Sequence, residues 1–155
     1  MKHSLAFLII LLGFMQISAQ ENKINNFNSL MEILNKGANV KVVIHYAKCK
    51  LIIDSVETDA PDAIGGMSLS TFEYFAPMSI NNPKAFLTSS ETVLITHRKR
   101  GFVYNYVKIK IFEDNTVEIV AKYLLPNTLE VVMDEIFYSE INDGNNNKGV
   151  FLYAN

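Results

Sequence analysis

Val107-Lys108-Ile109-Lys110-Ile111-Phe112-Glu113-Asp114-Asn115-Thr116-Val117-Glu118-Ile119-Val120-Ala121 alternates apolar and polar residues on both sides of a short polar break. A period of two places successive side chains on opposite faces of a strand, so each arm has one apolar and one polar face. Both arms carry their apolar residues at odd positions, so odd must face odd and the connecting loop must hold an odd number of residues. Three fit: Glu113-Asp114-Asn115, with Asn115 in the left-handed conformation of a type I turn plus bulge, which asparagine tolerates. This register sets Lys110 opposite Glu118, a favourable cross-strand pair. A two-residue turn at Asp114-Asn115 would face Ile111 to Glu118 and is rejected.

Working outward, nearly everything after residue 39 alternates or is rich in β-branched and aromatic residues. Strands are expected near 40–46, 48–53, 70–75, 85–89, 92–97, 102–112, 117–124, 129–141 and 149–153. No helix-length stretch separates them, so βαβ crossovers are not expected and the sheet should be antiparallel. Along 129–141 one face reads Leu129, Val131, Met133, Glu135, Phe137, Ser139, Ile141, apolar apart from Glu135 and Ser139. The one helix precedes the strands. Ser29-Leu30-Met31-Glu32 reads as its capping box, Leu30, Ile33 and Leu34 share a face, and Gly37 supplies a left-handed stop. The expectation is a mainly β fold: an antiparallel meander rolled into a small barrel or a sandwich, with one short N-terminal helix.

The amino terminus reads as an export signal. Met1-Lys2-His3 is a short basic start, Leu5 to Met15 is unbroken apolar sequence, and Ile17-Ser18-Ala19 fits signal peptidase, which places the cut between Ala19 and Gln20. The apolar run is too short for a bilayer core of roughly 30 Å. The expected organisation is a signal peptide at 1–19, a flexible lead at 20–27 and a single domain at 28–155. The product would be secreted or periplasmic, without a membrane span, and monomeric. Hydrophobic residues at 49% and charged residues at 19% provide for a packed core and exclude intrinsic disorder. The net charge of −2 excludes a broad electrostatic nucleic-acid binder.

Candidates for chemistry are few. Cys49 is the one cysteine, in a compartment where thiols usually pair. It reads as a nucleophile, a metal ligand, an intermolecular bridge or a packed thiol, and the alternation of Cys49, Leu51 and Ile53 against Lys48 and Lys50 favours the packed thiol. His45 points away from the Val42, Ile44, Tyr46 face and reads as a general base, a ligand or a rim histidine. His97-Arg98-Lys99-Arg100-Gly101 reads as a basic hairpin tip, either plainly solvated or a contact for an acidic surface or phosphate. The acidic stretch from Asp54 to Asp62 lacks the spacing of a calcium loop and reads as a solvated loop. Gly65-Gly66 is no phosphate cradle, and the pair is read as permitting a positive φ at the entry to the next strand. No motif for catalysis, a metal or a cofactor is present.

Several segments together resemble the VirK protein family: Val42-Val43-Ile44-His45-Tyr46 with Cys49, Ile64-Gly65-Gly66 leading into Leu69 to Phe72, Phe86 to Ser90, Asn105-Tyr106-Val107, Asp114-Asn115-Thr116-Val117 and Gly149-Val150-Phe151. The resemblance spans roughly Asn28 to Tyr153. It implies a small exported protein from a family first associated with a plant-pathogen virulence region, and it implies no particular reaction. It also implies a second cysteine on the penultimate strand, a position held here by Ser139, and hence a family disulfide whose loss leaves Cys49 alone. A histidine expected after the Phe-Ser strand is replaced here by Glu91-Thr92.

Two functions follow as expectations. The first is a non-enzymatic binding or interaction protein, whose partner is a small apolar ligand or an extracellular protein. Phe72, Tyr74, Phe75, Tyr104, Tyr106, Phe137 and Tyr138 are the aromatic supply for a pocket or for the core. The second is a small secreted hydrolase with a non-local site, for which His45 and a carboxylate would have to meet.

Overall fold

The structure is a computed structural model that describes residues 22–154. The expected signal segment 1–19 and the cut expected between Ala19 and Gln20 lie outside the described residues. Strands β1 (Lys23–Ile24), β2 (Val40–His45), β5 (Ile64–Ser68) and β11 (Val150–Ala154) form one sheet in the order β1-β11-β2-β5. The other contains β3 (Lys50–Ile53), β4 (Val56–Thr58), β6 (Glu73–Phe75), β7 (Phe86–His97), β8 (Gly101–Phe112), β9 (Thr116–Leu124) and β10 (Val131–Glu140), ordered β4-β3-β10-β9-β8-β7-β6. All strand pairs are antiparallel, and β6 to β10 run as the expected meander. The sheets do not close into a barrel. Val42, Ile44, Met67 and Leu152 of the smaller sheet share one core with Leu87, Ile109, Ile119 and Phe137 of the larger, which is the sandwich arrangement.

The deciding hairpin has the register read from its alternation. Ile111 faces Val117, Ile109 faces Ile119, and Lys110 faces Glu118 with 3.7 Å between charged atoms. Asn115 has φ 68°, and its N–H donates to the Phe112 carbonyl. It also does more than turn the chain. Its side-chain oxygen accepts from Phe27 N–H at 2.7 Å, and its carbonyl accepts from Ile141 N–H, so one residue joins the turn, the helix and the end of β10. Asn115→Ala is expected to destabilise by about 1–2 kcal/mol in urea unfolding, losing both the left-handed tolerance and the helix bond. Asn115→Gly, which keeps the turn, is expected to recover part of that loss.

The helix, α1 (Phe27–Asn35), begins earlier than the capping box suggests. Asn26 is the cap, accepting from Ser29 N–H at 2.9 Å, and Glu32 pairs with Lys36 instead. The reason is burial: starting at Phe27 adds a third core residue to Leu30 and Leu34 on one face. Gly37, φ 77°, ends it as read. Within the stretch 20–27 expected to be a flexible lead, Lys23–Ile24 pairs with β11 and Ile24 is buried.

Three strand expectations change. The segments 85–89 and 92–97 form the single strand β7, since Ser90 and Glu91 pair in the ladder with Lys108 and Val107. The acidic stretch is not all loop: β4 folds back on β3 through Asp54 and Ser55, both at positive φ, and Glu57 pairs with Lys50. The strand expected at 70–75 is reduced to β6, while Gly65 and Gly66 lie inside β5 paired with Ile44 and Val43. Neither glycine is at positive φ, which corrects the sequence reading; their role is close approach.

Candidate functional site

At one end of the sandwich the inward-facing residues stop being purely apolar. On the larger sheet, Asn105 of β8 pairs with Tyr123 of β9, and Tyr123 pairs with Met133 of β10. Glu135 follows two residues along the same inner face as Met133 and Phe137. From the other side Tyr46 comes down, and its ring lies 4.7 Å from that of Phe137. Between the sheets these residues line a cleft of about 270 Å³, walled by apolar groups including Ile44, Ile64 and Val107.

The local sequence explains how Tyr46 gets there. The chain leaves β2 at His45 and makes one 3₁₀ turn over Tyr46–Lys48, closed by Cys49 N–H donating to the Tyr46 carbonyl. The ring is then laid against Gly65: a Cβ built on that glycine would sit 2.9 Å from the ring's Cε2. Gly65 is therefore a seat for the phenol, and Gly66, whose added Cβ would lie 3.3 Å from the Val42 carbonyl oxygen, lets β5 lie close to β2. Burial, and then the neighbouring acidic groups of Cys49, Tyr123 and Glu135, push the Tyr46 phenol above its ordinary pKa. At neutral pH it is a hydrogen-bond donor held beside a carboxylate-bearing wall.

His45 faces away from the cleft, as its strand position required, and its ring packs 4.9 Å from Phe151. His97 lies at the other hairpin, 5.5 Å from the Tyr123 ring. Among the described residues neither histidine forms an ion pair with a carboxylate, and no three His, Cys, Asp or Glu side chains converge as a metal site.

Cys49 is half-buried, just ahead of β3 rather than on it, because the 3₁₀ turn consumes the residues expected to open the strand. Continuing the β3–β10 register beyond Tyr138–Lys50 sets Ser139 opposite Cys49. Burial pushes the Cys49 thiol up, partly offset by the adjacent Ser139 hydroxyl, so the group is a neutral thiol and a poor nucleophile at neutral pH. Its Sγ donates to the His45 carbonyl at 3.5 Å.

Sequence reasoning flagged Glu135 as a polar residue on an apolar face but missed its companions. The sequence reading leaves Tyr46 on the apolar face of its strand and does not single out Tyr123, and of the seven aromatics expected to line a pocket, Phe137 alone lines this cleft. Tyr74 and Tyr138 are exposed. Placing a polar Asn105 at an odd, inward position of β8 was the available signal.

The comparisons agree with this architecture. A VirK protein family model matches residues 23–129. A VirK family protein from Legionella pneumophila has a similar solved structure, with a TM-score of 0.63 at 13% identity, covering 84% of this chain and 97% of that one. Among curated proteins none matches. At that identity the structural likeness speaks for the fold, and the matched family model, which spans most of the chain, settles membership: the chain belongs to the VirK protein family.

Proposed function

We propose that this VirK family member is an exported, non-enzymatic binding protein whose ligand enters the cleft between the two sheets. The observation that carries the reading is the convergence of Tyr46, Asn105, Tyr123 and Glu135 on one small, otherwise apolar cleft. Apolar walls with a few placed polar groups are the usual make-up of a small-molecule site. A ligand with an apolar body and a polar end fits this lining, a refinement of the purely apolar ligand expected from sequence. What supports binding over hydrolysis is that each histidine packs on an aromatic ring, with His45 turned away from the cleft.

The test is thermal unfolding of the purified protein against a panel of small amphipathic molecules. A ligand held at about a hundred times its Kd adds about 2.7 kcal/mol, which for a domain of this size is a rise in Tm of roughly 5–10 °C. The same compound should give less than half that shift with Glu135→Gln or Tyr123→Ala. A panel without shifts, or shifts that both variants preserve, would refute the cleft as the site.

A further inference from the structure

From Thr92 to Phe112 the chain holds no carboxylate, while it carries Arg98, Lys99, Arg100, Lys108 and Lys110. In a protein of net charge −2 this is a local excess of cations, and the structure gathers it on one hairpin. The β7–β8 pairing continues to His97–Gly101, whereas β9 accompanies β8 only as far as Tyr104, so the end of this hairpin projects as a two-stranded ribbon beyond its neighbour. Arg98, Lys99 and Arg100 are exposed at its tip.

Immediately behind the tip, the outer face of the larger sheet is apolar. Leu94 is 55% exposed and Phe102 64%; from the β9–β10 connection come Leu129 at 62% and Val131 at 46%. Leu94 pairs with Tyr104, Tyr104 with Leu124, and Leu124 with Val131, so these side chains form a continuous row across four strands on one face. Beyond the row the same face carries three lysines and the carboxylates Glu118 and Asp134. Lys108, Lys110 and Lys122 line a groove together with Tyr104, Tyr106 and Leu124. Of these lysines, Lys110 is opposed by Glu118 and Lys122 by Asp134, while Lys108 has no ion pair among the described residues. Glu130, in the connection beside Leu129, is the acidic group at the patch edge.

An apolar strip with an exposed basic tip at one end and Lys108 at the other is an arrangement that an anionic bilayer rewards: the cations meet lipid phosphates while the apolar side chains sink to the boundary with the acyl chains. Tyr104, between strip and lysines, has the amphipathic character suited to that depth. A partner offering acidic groups alone would satisfy the cations and leave Leu94, Phe102, Leu129 and Val131 in water. The strip stands on a projecting sheet end, which a planar surface accommodates without a matching groove. We propose that the outer face around the β7–β8 hairpin docks reversibly on the surface of an anionic lipid bilayer. The apolar row lies on the opposite face of the strands from the cleft, whereas Arg98, Lys99 and Arg100 of the tip line a hollow with the cleft residues Tyr123 and Met133, so the tip stands beside the cleft mouth.

The test uses the protein purified after export and sedimented with vesicles, either of phosphatidylcholine alone or with one-third phosphatidylglycerol. The expected result is binding to the mixed vesicles only, weakened by added salt. Replacing Arg98, Lys99 and Arg100 together with alanine should reduce it at least tenfold, and so should the pair Leu94→Ser with Phe102→Ser, with unchanged circular dichroism confirming that each variant is folded. Absence of binding, or binding that both variants retain, would overturn the proposal. So would a loss confined to the charge variant, because binding would then be electrostatic alone and the apolar strip would not enter the bilayer.

Discussion

A Ser139→Cys variant exposed to air is expected to close a disulfide with Cys49 and to gain about 2–4 kcal/mol in urea unfolding relative to its reduced form. Extending the β3–β10 register one pair past Tyr138–Lys50 sets the two residues opposite one another, and directly opposed residues of an antiparallel pair have Cα atoms about 4.5–5.5 Å apart, within the range a disulfide spans. The thiol already lies beside the Ser139 hydroxyl. The bridge would close a loop of roughly 90 residues, where the constraint on the unfolded chain is large. An offset comes from Gly149, whose N–H donates to Ser139 Oγ at 3.0 Å and would have a sulfur in its place, at a cost of about 1 kcal/mol. Two free thiols in the folded, oxidised variant would contradict this account of the β3–β10 edge. The pairing is the one that the family resemblance implied, and here it rests on the extended ladder and on the contact of the thiol with the Ser139 hydroxyl.

Gly149→Ala is the substitution expected to damage the fold most, by about 3 kcal/mol. A Cβ at this buried position would stand 2.7 Å from both Cys49 Sγ and the His45 carbonyl oxygen, and 3.3 Å from the Lys48 carbonyl carbon. The thiol can swing away, but the backbone of the 3₁₀ turn cannot, because Gly149 and His45 are joined by His45 N–H donating to the Gly149 carbonyl at 2.8 Å. Cys49→Ala in the same background should therefore relieve little. A double variant restored to the stability of Cys49→Ala alone would show that the sulfur, not the backbone, is the obstacle. Urea unfolding of the three variants decides between them.

The legibility of this fold follows from the range of the forces involved. The β8–β9 hairpin was readable to the residue because alternation and a three-residue turn are local and mutually restrictive: only one register kept Val107, Ile109 and Ile111 facing apolar partners. The helix boundary was misread for the opposite reason. Ser29 and Glu32 satisfied a local pattern, while the deciding gain, burial of Phe27 against two sheets, lay elsewhere in the chain. Gly65 illustrates the same limit. A turn role was the local reading of a Gly-Gly pair, and its actual neighbour is the Tyr46 ring, brought in by a 3₁₀ turn that no periodicity announces. The cleft was legible only in part, since Glu135 breaks an apolar face visibly but Tyr46, Asn105 and Tyr123 acquire meaning only once the β2–β3 turn and three strands meet around it.

Native mass spectrometry of the protein taken directly from the cell that makes it tests the binding reading most directly. The account predicts a bound small molecule on the wild-type chain, absent from the Glu135→Gln and Tyr123→Ala variants prepared in the same way. A bare chain mass for all three, or the same adduct on all three, would contradict it.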